Sequence, residues 1–157
     1  MEGDRSRELV KSTHPPSSRV LAIEEDINLA ALVDVPVLIT GPAADCRELA
    51  CELDRRSTSP AGEVEVIDCR SQNPLTALGQ VFSNNPKILL LQEVQALSPD
   101  DQLRLTRELD EIGQPATRSR RILASSSVPL FDRVVDQLFN EHLYYRLNVI
   151  HIVIPGN

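Results

Sequence analysis

Apolar residues along this chain alternate between two patterns. Short dense runs recur at Val35-Pro36-Val37-Leu38-Ile39-Thr40, Val64-Glu65-Val66-Ile67, Ile88-Leu89-Leu90-Leu91, Arg121-Ile122-Leu123-Ala124 and Val149-Ile150-His151-Ile152-Val153-Ile154. Runs that are apolar at consecutive positions predict strands buried on both faces. Between them, apolar residues recur every three or four positions. Val20, Ile23, Ile27, Ala30 and Ala31 do so over 20–33, Leu49, Ala50 and Leu53 over 44–57, and Leu75, Leu78, Val81 and Phe82 over 74–83. That spacing stacks them on one face of a helix. Ser98-Pro99-Asp100-Asp101 opens another helix, with Ser as cap, Pro at the first helical position and acids in the first turn. Leu103, Leu105, Leu109 and Ile112 follow, up to Gly113. Helical segments are also predicted near 129–137 and 139–146. Strands alternating with helices predict an α/β fold, a five-stranded parallel sheet sandwiched by helices. Residues 1–18 are polar, include Ser12-Thr13-His14-Pro15-Pro16-Ser17-Ser18, and are expected to form a flexible N-terminal tail, leaving 19–157 as one core.

Composition narrows the function classes. With 157 residues, 41% hydrophobic and 25% charged, the chain suits one globular domain and excludes collagen-like, wholly disordered and membrane-bundle classes. The net charge of −7 repels phosphate backbones. Aromatics are 3% with no Trp, which leaves few base-stacking platforms, so no direct nucleic-acid binding is expected. Cys46, Cys51 and Cys69 form no C-x-x-C pair, and His14, His142 and His151 are scattered, so no metal site is expected. Such cysteines fit reduced thiols in a cytoplasmic protein. No stretch approaches the ~20 apolar residues that span a bilayer, and Met1 to Arg7 does not open a signal peptide.

In a parallel sheet, ligands sit beyond the carboxyl ends of the strands. The loops starting at Gly41, Gln92 and Ser125 therefore converge on one potential site. Laid out this way, residues Val37 to Pro155 resemble the AAA+ ATPase module of bacterial sigma-54-dependent transcription activators. Phe139-Asn140-Glu141-His142-Leu143-Tyr144-Tyr145-Arg146-Leu147-Asn148-Val149-Ile150 is similar to that family's F-R-E-D-L-Y-Y-R-L-N-V-I segment. Val37-Leu38-Ile39-Thr40-Gly41 is similar to the strand entering its phosphate loop, Ile88 to Glu111 to its second nucleotide motif and following helix, and Arg121-Ile122-Leu123-Ala124 to its R-I-I-A strand. Cys69 falls where the family often has N-C. The resemblance implies a P-loop NTPase-like sheet in the order 5-1-4-3-2. By position, it implies nucleotide-binding roles for Gly41, Arg47, Glu48, Gln92, Glu93 and Ser127, and an arginine-finger role for Arg146.

The departures define what to expect of the chemistry. The family's G-E-S-G-T-G-K-E loop is here Gly41-Pro42-Ala43-Ala44-Asp45-Cys46-Arg47-Glu48. Pro42 removes an N–H, Ala44 and Cys46 replace the inner glycines, Asp45 adds negative charge and Arg47 takes the lysine position. The pair D-E, which holds magnesium and prepares water, is Gln92-Glu93. Glu93 reads either as a water-polarising carboxylate or as a loop-bonded one. Ser127 keeps the hydroxyl of the family's first sensor. Of the two finger positions, Asn140 has lost its arginine; Arg146 stands i, i+5 from Glu141, so a tertiary acid is the better partner. Neither the G-A-F-T-G-A loop, due between Cys69 and Ile88, nor the hairpin due between Gly113 and Arg121 is present, and no lid domain is expected. Arg118, Arg120 and Arg121 read as a solvated basic loop or as a patch for an acidic partner.

These observations lead to a degenerate, non-hydrolysing AAA+ core serving as a regulatory or protein-interaction module in transcription control. ATP and magnesium are not expected as cofactors. A weak ATP-binding ATPase domain is the alternative. A phospho-receiver domain would need a late Lys, and none follows Lys87. The expected partners are another protein or other domains of a longer regulator, with no membrane. The expected state is a monomer or weak dimer, any self-contact forming along Leu143 to Leu147.

Overall fold

The computed structural model describes residues 7–11, 18–74, 76, 88–112 and 121–155. The strands are β1 (Arg7–Lys11), β2 (Val37–Thr40), β3 (Glu63–Asp68), β4 (Ile88–Gln92), β5 (Arg121–Ser126) and β6 (Ile150–Val153). The helices are α1 (Ser18–Leu21), α2 (Glu24–Ala31), α3 (Ala43–Arg55), α4 (Pro99–Ile112), α5 (Leu130–Val135) and α6 (Glu141–Leu147), with a 3-10 turn at Val94–Ala96. One sheet runs β1-β3-β4-β5-β2-β6. From β3 to β6 all neighbours are parallel. Counted without β1, these five strands take the expected 5-1-4-3-2 order.

Period-2 alternation explains the two layers of helices. On one face Leu38, Ile67, Leu89, Leu91 and Ala124 pack with Leu105 and Leu109 of α4 and Leu143 and Leu147 of α6. On the other, Val37, Ile39, Val66, Leu90 and Leu123 pack with Ile27 of α2 and Leu49 and Leu53 of α3. α4 starts as its sequence predicts, with the Ser98 hydroxyl accepting from Asp101 N at 3.2 Å.

Part of the segment read as a tail is a strand. β1 pairs antiparallel with β3, Arg7 opposite Ile67 through Lys11 opposite Glu63. Two cross-strand ion pairs set this register: Arg7 with the buried Glu65, and Lys11 Nζ with Glu63 Oε2 at 2.7 Å. Apart from Pro74 and Thr76, the helix predicted over 74–83 lies outside the described residues, as do 83–86 and 114–120. Among the described residues, no helix is long and apolar enough to cross a membrane.

Candidate functional site

β2 ends at Thr40, β3 at Asp68, β4 at Gln92 and β5 at Ser126, which places four polar residues along one rim of the sheet. Gly41 leaves β2 there, its N–H donating to the Ser126 carbonyl at 3.0 Å. A Cβ on Gly41 would lie 2.9 Å from Ile154 Cβ, so only glycine permits this approach without displacement. Pro42 follows in an extended conformation, and α3 begins at Ala43. Ala43, Ala44, Asp45 and Cys46 therefore lie in the first turn of a helix. The Cys46 N–H donates to the Pro42 carbonyl at 3.0 Å, as a helical N–H does. The Cys46 side chain is fully buried beside the Gly41 carbonyl. Burial, then the charges of Glu93 and Asp45, push its thiol up to about 12, against a hydrogen bond with Ser125.

Arg47 is the centre of the rim. Its Nε donates to Gln92 Oε1 at 2.6 Å, and a terminal nitrogen meets Glu8 Oε2 of β1 at 2.7 Å. Gln92 is buried. Glu48 lies half-buried on α3. Asp68 stands opposite Gln92 in the β3–β4 register. Burial opposes ionisation of Asp68. Hydrogen bonds from the Arg70 side chain and backbone, with the charges of Arg70 and Arg47, outweigh it and hold the carboxyl below its usual range.

Glu93 occupies the left-handed region, φ 59° and ψ 52°, which is uncommon for a residue with a Cβ. One carboxylate oxygen accepts from Ser127 Oγ at 2.8 Å and from Gln95 Nε2 at 2.7 Å. The other oxygen, Oε1, is buried and has no hydrogen-bond partner among the described residues. The structure thus brings Arg47 against Gln92, and Glu93 against Ser127.

Asn140 and Arg146 stand apart from them. The Asn140 side chain caps α6, accepting from Leu143 N at 2.9 Å. Arg146 pairs with Asp110 of α4, the kind of tertiary acid its spacing calls for. The expected self-contact along α6 needs correction: Leu143, Tyr144 and Leu147 are buried, and Tyr145 alone of the apolar residues there is exposed. Tyr144 packs against Phe131, ring centres 5.7 Å apart. Arg121 also departs from expectation. It opens β5 buried in the fold rather than in a solvated basic loop, while Arg118 and Arg120 lie outside the described residues. Sequence reasoning missed Glu8 and Asp68. Arg7-Glu8-Leu9-Val10-Lys11 is charged at 7, 8 and 11 and apolar at 9 and 10, so no period marks the first.

The sequence model of a family described as "Sigma-54 interaction domain" matches residues 16–156. The C4-dicarboxylate transport transcriptional regulatory protein DctD of Rhizobium meliloti is 26% identical over 160 residues, covering 85% of this chain and 35% of its own length. Brucella abortus NtrX, crystallised in complex with ATP, superposes with a TM-score of 0.72 at 21% identity, over 92% of this chain and 39% of that one. The P-loop NTPase domain of a sigma-54 transport activator from E. coli does so with a TM-score of 0.64 at 17% identity, over 78% of this chain and 98% of that one. The chain thus spans about a third of the length of the curated regulator it matches.

Proposed function

The chain belongs to the sigma-54 interaction domain family, the AAA+ domain of sigma-54 activators, and from that premise we propose that it is a non-hydrolysing core acting through protein contacts in transcription control. The start of α3 at Ala43 carries this reading. A phosphate loop works by holding backbone N–H groups open toward an anion. Here those positions are wound into a helix, which satisfies the N–H groups from Cys46 onward and leaves only those of Ala43, Ala44 and Asp45 at its start. Two further contacts support it. Arg47 would have to neutralise phosphate, yet Glu8 and Gln92 already engage it. Gln92 carries no charge, and its side-chain oxygen is the one Arg47 uses. A magnesium nucleotide does not fit these residues in the family's manner. The domain then acts as a scaffold, with another protein or further domains of a longer regulator as its partners.

One observation favours weak ATP binding with residual turnover instead. Glu93 keeps its contact with Ser127 and leaves Oε1 unbonded, as a carboxylate that orients water would. Calorimetric titration with ATP and with ADP, each with magnesium, separates the two. The non-hydrolysing reading expects no saturable heat. Saturable binding lost in Arg47→Ala, or turnover abolished by Glu93→Ala, would overturn it.

A further inference from the structure

The outer face of α2 carries apolar side chains that no other described element covers. Ile27, Ala30 and Ala31 are the buried side of this helix. At roughly 100° per residue, Leu29 and Leu32 point the opposite way, and they are 68% and 67% exposed. Glu24 and Asn28 take the side toward α3, where Arg56 meets Glu24 at 3.6 Å and donates to Asn28 at 2.8 Å. Val33, also exposed, follows Leu32 directly. Leu32 and Val33 form one wall of a cavity of about 270 Å³ that runs inward to buried Leu53 and Ile88. The exposed apolar face thus continues into an apolar recess, which leucines scattered singly over a surface do not have.

Acids bracket this face. Glu25 and Asp26 stand one turn before Leu29, and neither forms a salt bridge among the described residues. Their place in the first turn suits the helix dipole, which accounts for their sign but not for the leucines after them. Asp34 lies exposed at the other end, and the cavity wall there holds Asp34 and Asp54 against the single Arg121. The field over the face is therefore negative. A second copy on a twofold axis would set these acids against themselves, in a chain whose net charge is −7. A phosphate backbone is repelled in the same way. Positive charges at both ends of an apolar stripe are what complement the face.

We infer that the outer face of α2 docks a basic amphipathic helix of another protein, its apolar side chains on Leu29, Leu32 and Val33 and its lysines or arginines toward Glu25, Asp26 and Asp34. The inference rests on the scaffold reading for the kind of ligand, a protein, and names that partner's chemistry. The two fail separately. The face meets α3 at Arg56, about 13 Å along that helix from Arg47, so nucleotide binding at Arg47 would overturn the scaffold reading and leave this face as it is.

The test titrates the full chain, labelled with nitrogen-15, with a peptide of about 18 residues built from Leu and Lys at helical spacing, long enough to be helical in water. Saturable shifts are expected at the amides of Leu29, Leu32 and Val33, with a dissociation constant on the order of 10 μM that weakens as salt rises. Leu29→Gln with Leu32→Gln should weaken binding about ten-fold or more. Glutamine keeps the helix propensity of leucine and both positions are exposed, so the fold stays as it is. Glu25→Gln with Asp26→Asn should weaken binding about three-fold or more and flatten the salt dependence. Leu103→Gln, at an exposed leucine of α4 across the sheet, should leave it unchanged. A peptide of the same composition with its leucines spread around the helix, or one with Glu for every Lys, should bind about ten-fold more weakly or worse. Equal binding of either peptide, an unchanged affinity in either double variant, or an equal loss in Leu103→Gln would overturn the inference. So would a wild-type dimer that the Leu29 and Leu32 variant abolishes in light scattering, since that gives the face to a second copy.

Discussion

Gln102 is a polar residue on the apolar face of α4, and replacing it with Leu tests how the helices over one face of the sheet are joined. The side chain is 3% exposed. Its Nε2 donates to the Leu97 carbonyl at 2.9 Å and the Leu138 carbonyl at 3.2 Å, while Oε1 accepts from Asn140 N at 2.7 Å. One amide thus links the start of α4 to the turn between α5 and α6. Gln102→Leu keeps the volume and removes all three bonds. The buried Leu97 carbonyl loses a partner at a cost of about 1–3 kcal/mol. The half-buried Leu138 carbonyl and Asn140 N–H lose about 0.5–1.5 kcal/mol each, since water reaches them. Burying leucine in place of an amide returns about 1.5–3 kcal/mol. The net is a destabilisation of roughly 2 kcal/mol, or a melting temperature lowered by about 4–8 °C for a domain of this size. Urea unfolding followed by circular dichroism measures it. Gln102→Glu is the internal control. It keeps the acceptor for Asn140 but sets a second oxygen against two carbonyls, so it should cost more than Leu at pH 7. Those carbonyls raise the folded-state pKa of the new carboxyl above the unfolded value of about 4.3, so the cost shrinks as acid protonates it. A Leu variant within about 0.5 kcal/mol of wild type, or a Glu variant no worse than Leu at pH 7, would refute the reasoning.

Gly41→Ala should destabilise by about 1–3 kcal/mol in the same assay, because the new methyl meets Ile154 Cβ at 2.9 Å. The Cys46 thiol, raised from 9.0 to about 12, stays protonated in the folded chain after it ionises in the unfolded one. Stability should therefore fall as pH rises from 9 toward 12, and Cys46→Ala should flatten that slope in denaturation curves taken across the window. All three cysteines are buried, so a thiol reagent should label them only after unfolding. Light scattering should find a monomer or weak dimer whose mass is unmoved by ATP and magnesium; a shift to six subunits would show a working nucleotide site.

What the sequence revealed and what it hid divide along local and non-local physics. The runs around Leu38, Leu90 and Leu123 were readable because strands buried on both faces must be apolar at every position. The start of α3 was nearly readable, since Gly41-Pro42 closes the strand and helical spacing follows at once. β1 was not, because only its pairing with Glu63 and Glu65 makes Arg7 to Lys11 a strand. Arg146 shows how far spacing can reach: i, i+5 geometry argued against Glu141, but nothing local named Asp110. Arg47 and Arg121 were legible as cations and illegible as to partner, because Gln92, Glu8 and the Ala30 carbonyl lie far away in sequence.

The two margins of the sheet are protected unequally. β1 closes one side with Arg7, Glu8 and Lys11, charges that discourage a foreign strand from docking. At the other side, β6 is four residues long and has no neighbouring strand beyond it among the described residues. Val153 on it and Val149 just before it are more than half exposed. Its one titratable side chain is His151, whose pKa desolvation lowers. That margin is therefore uncharged at neutral pH and gains a charge only in acid. In concentrated solution, aggregation by strand addition should begin at β6, and mild acidification should slow it.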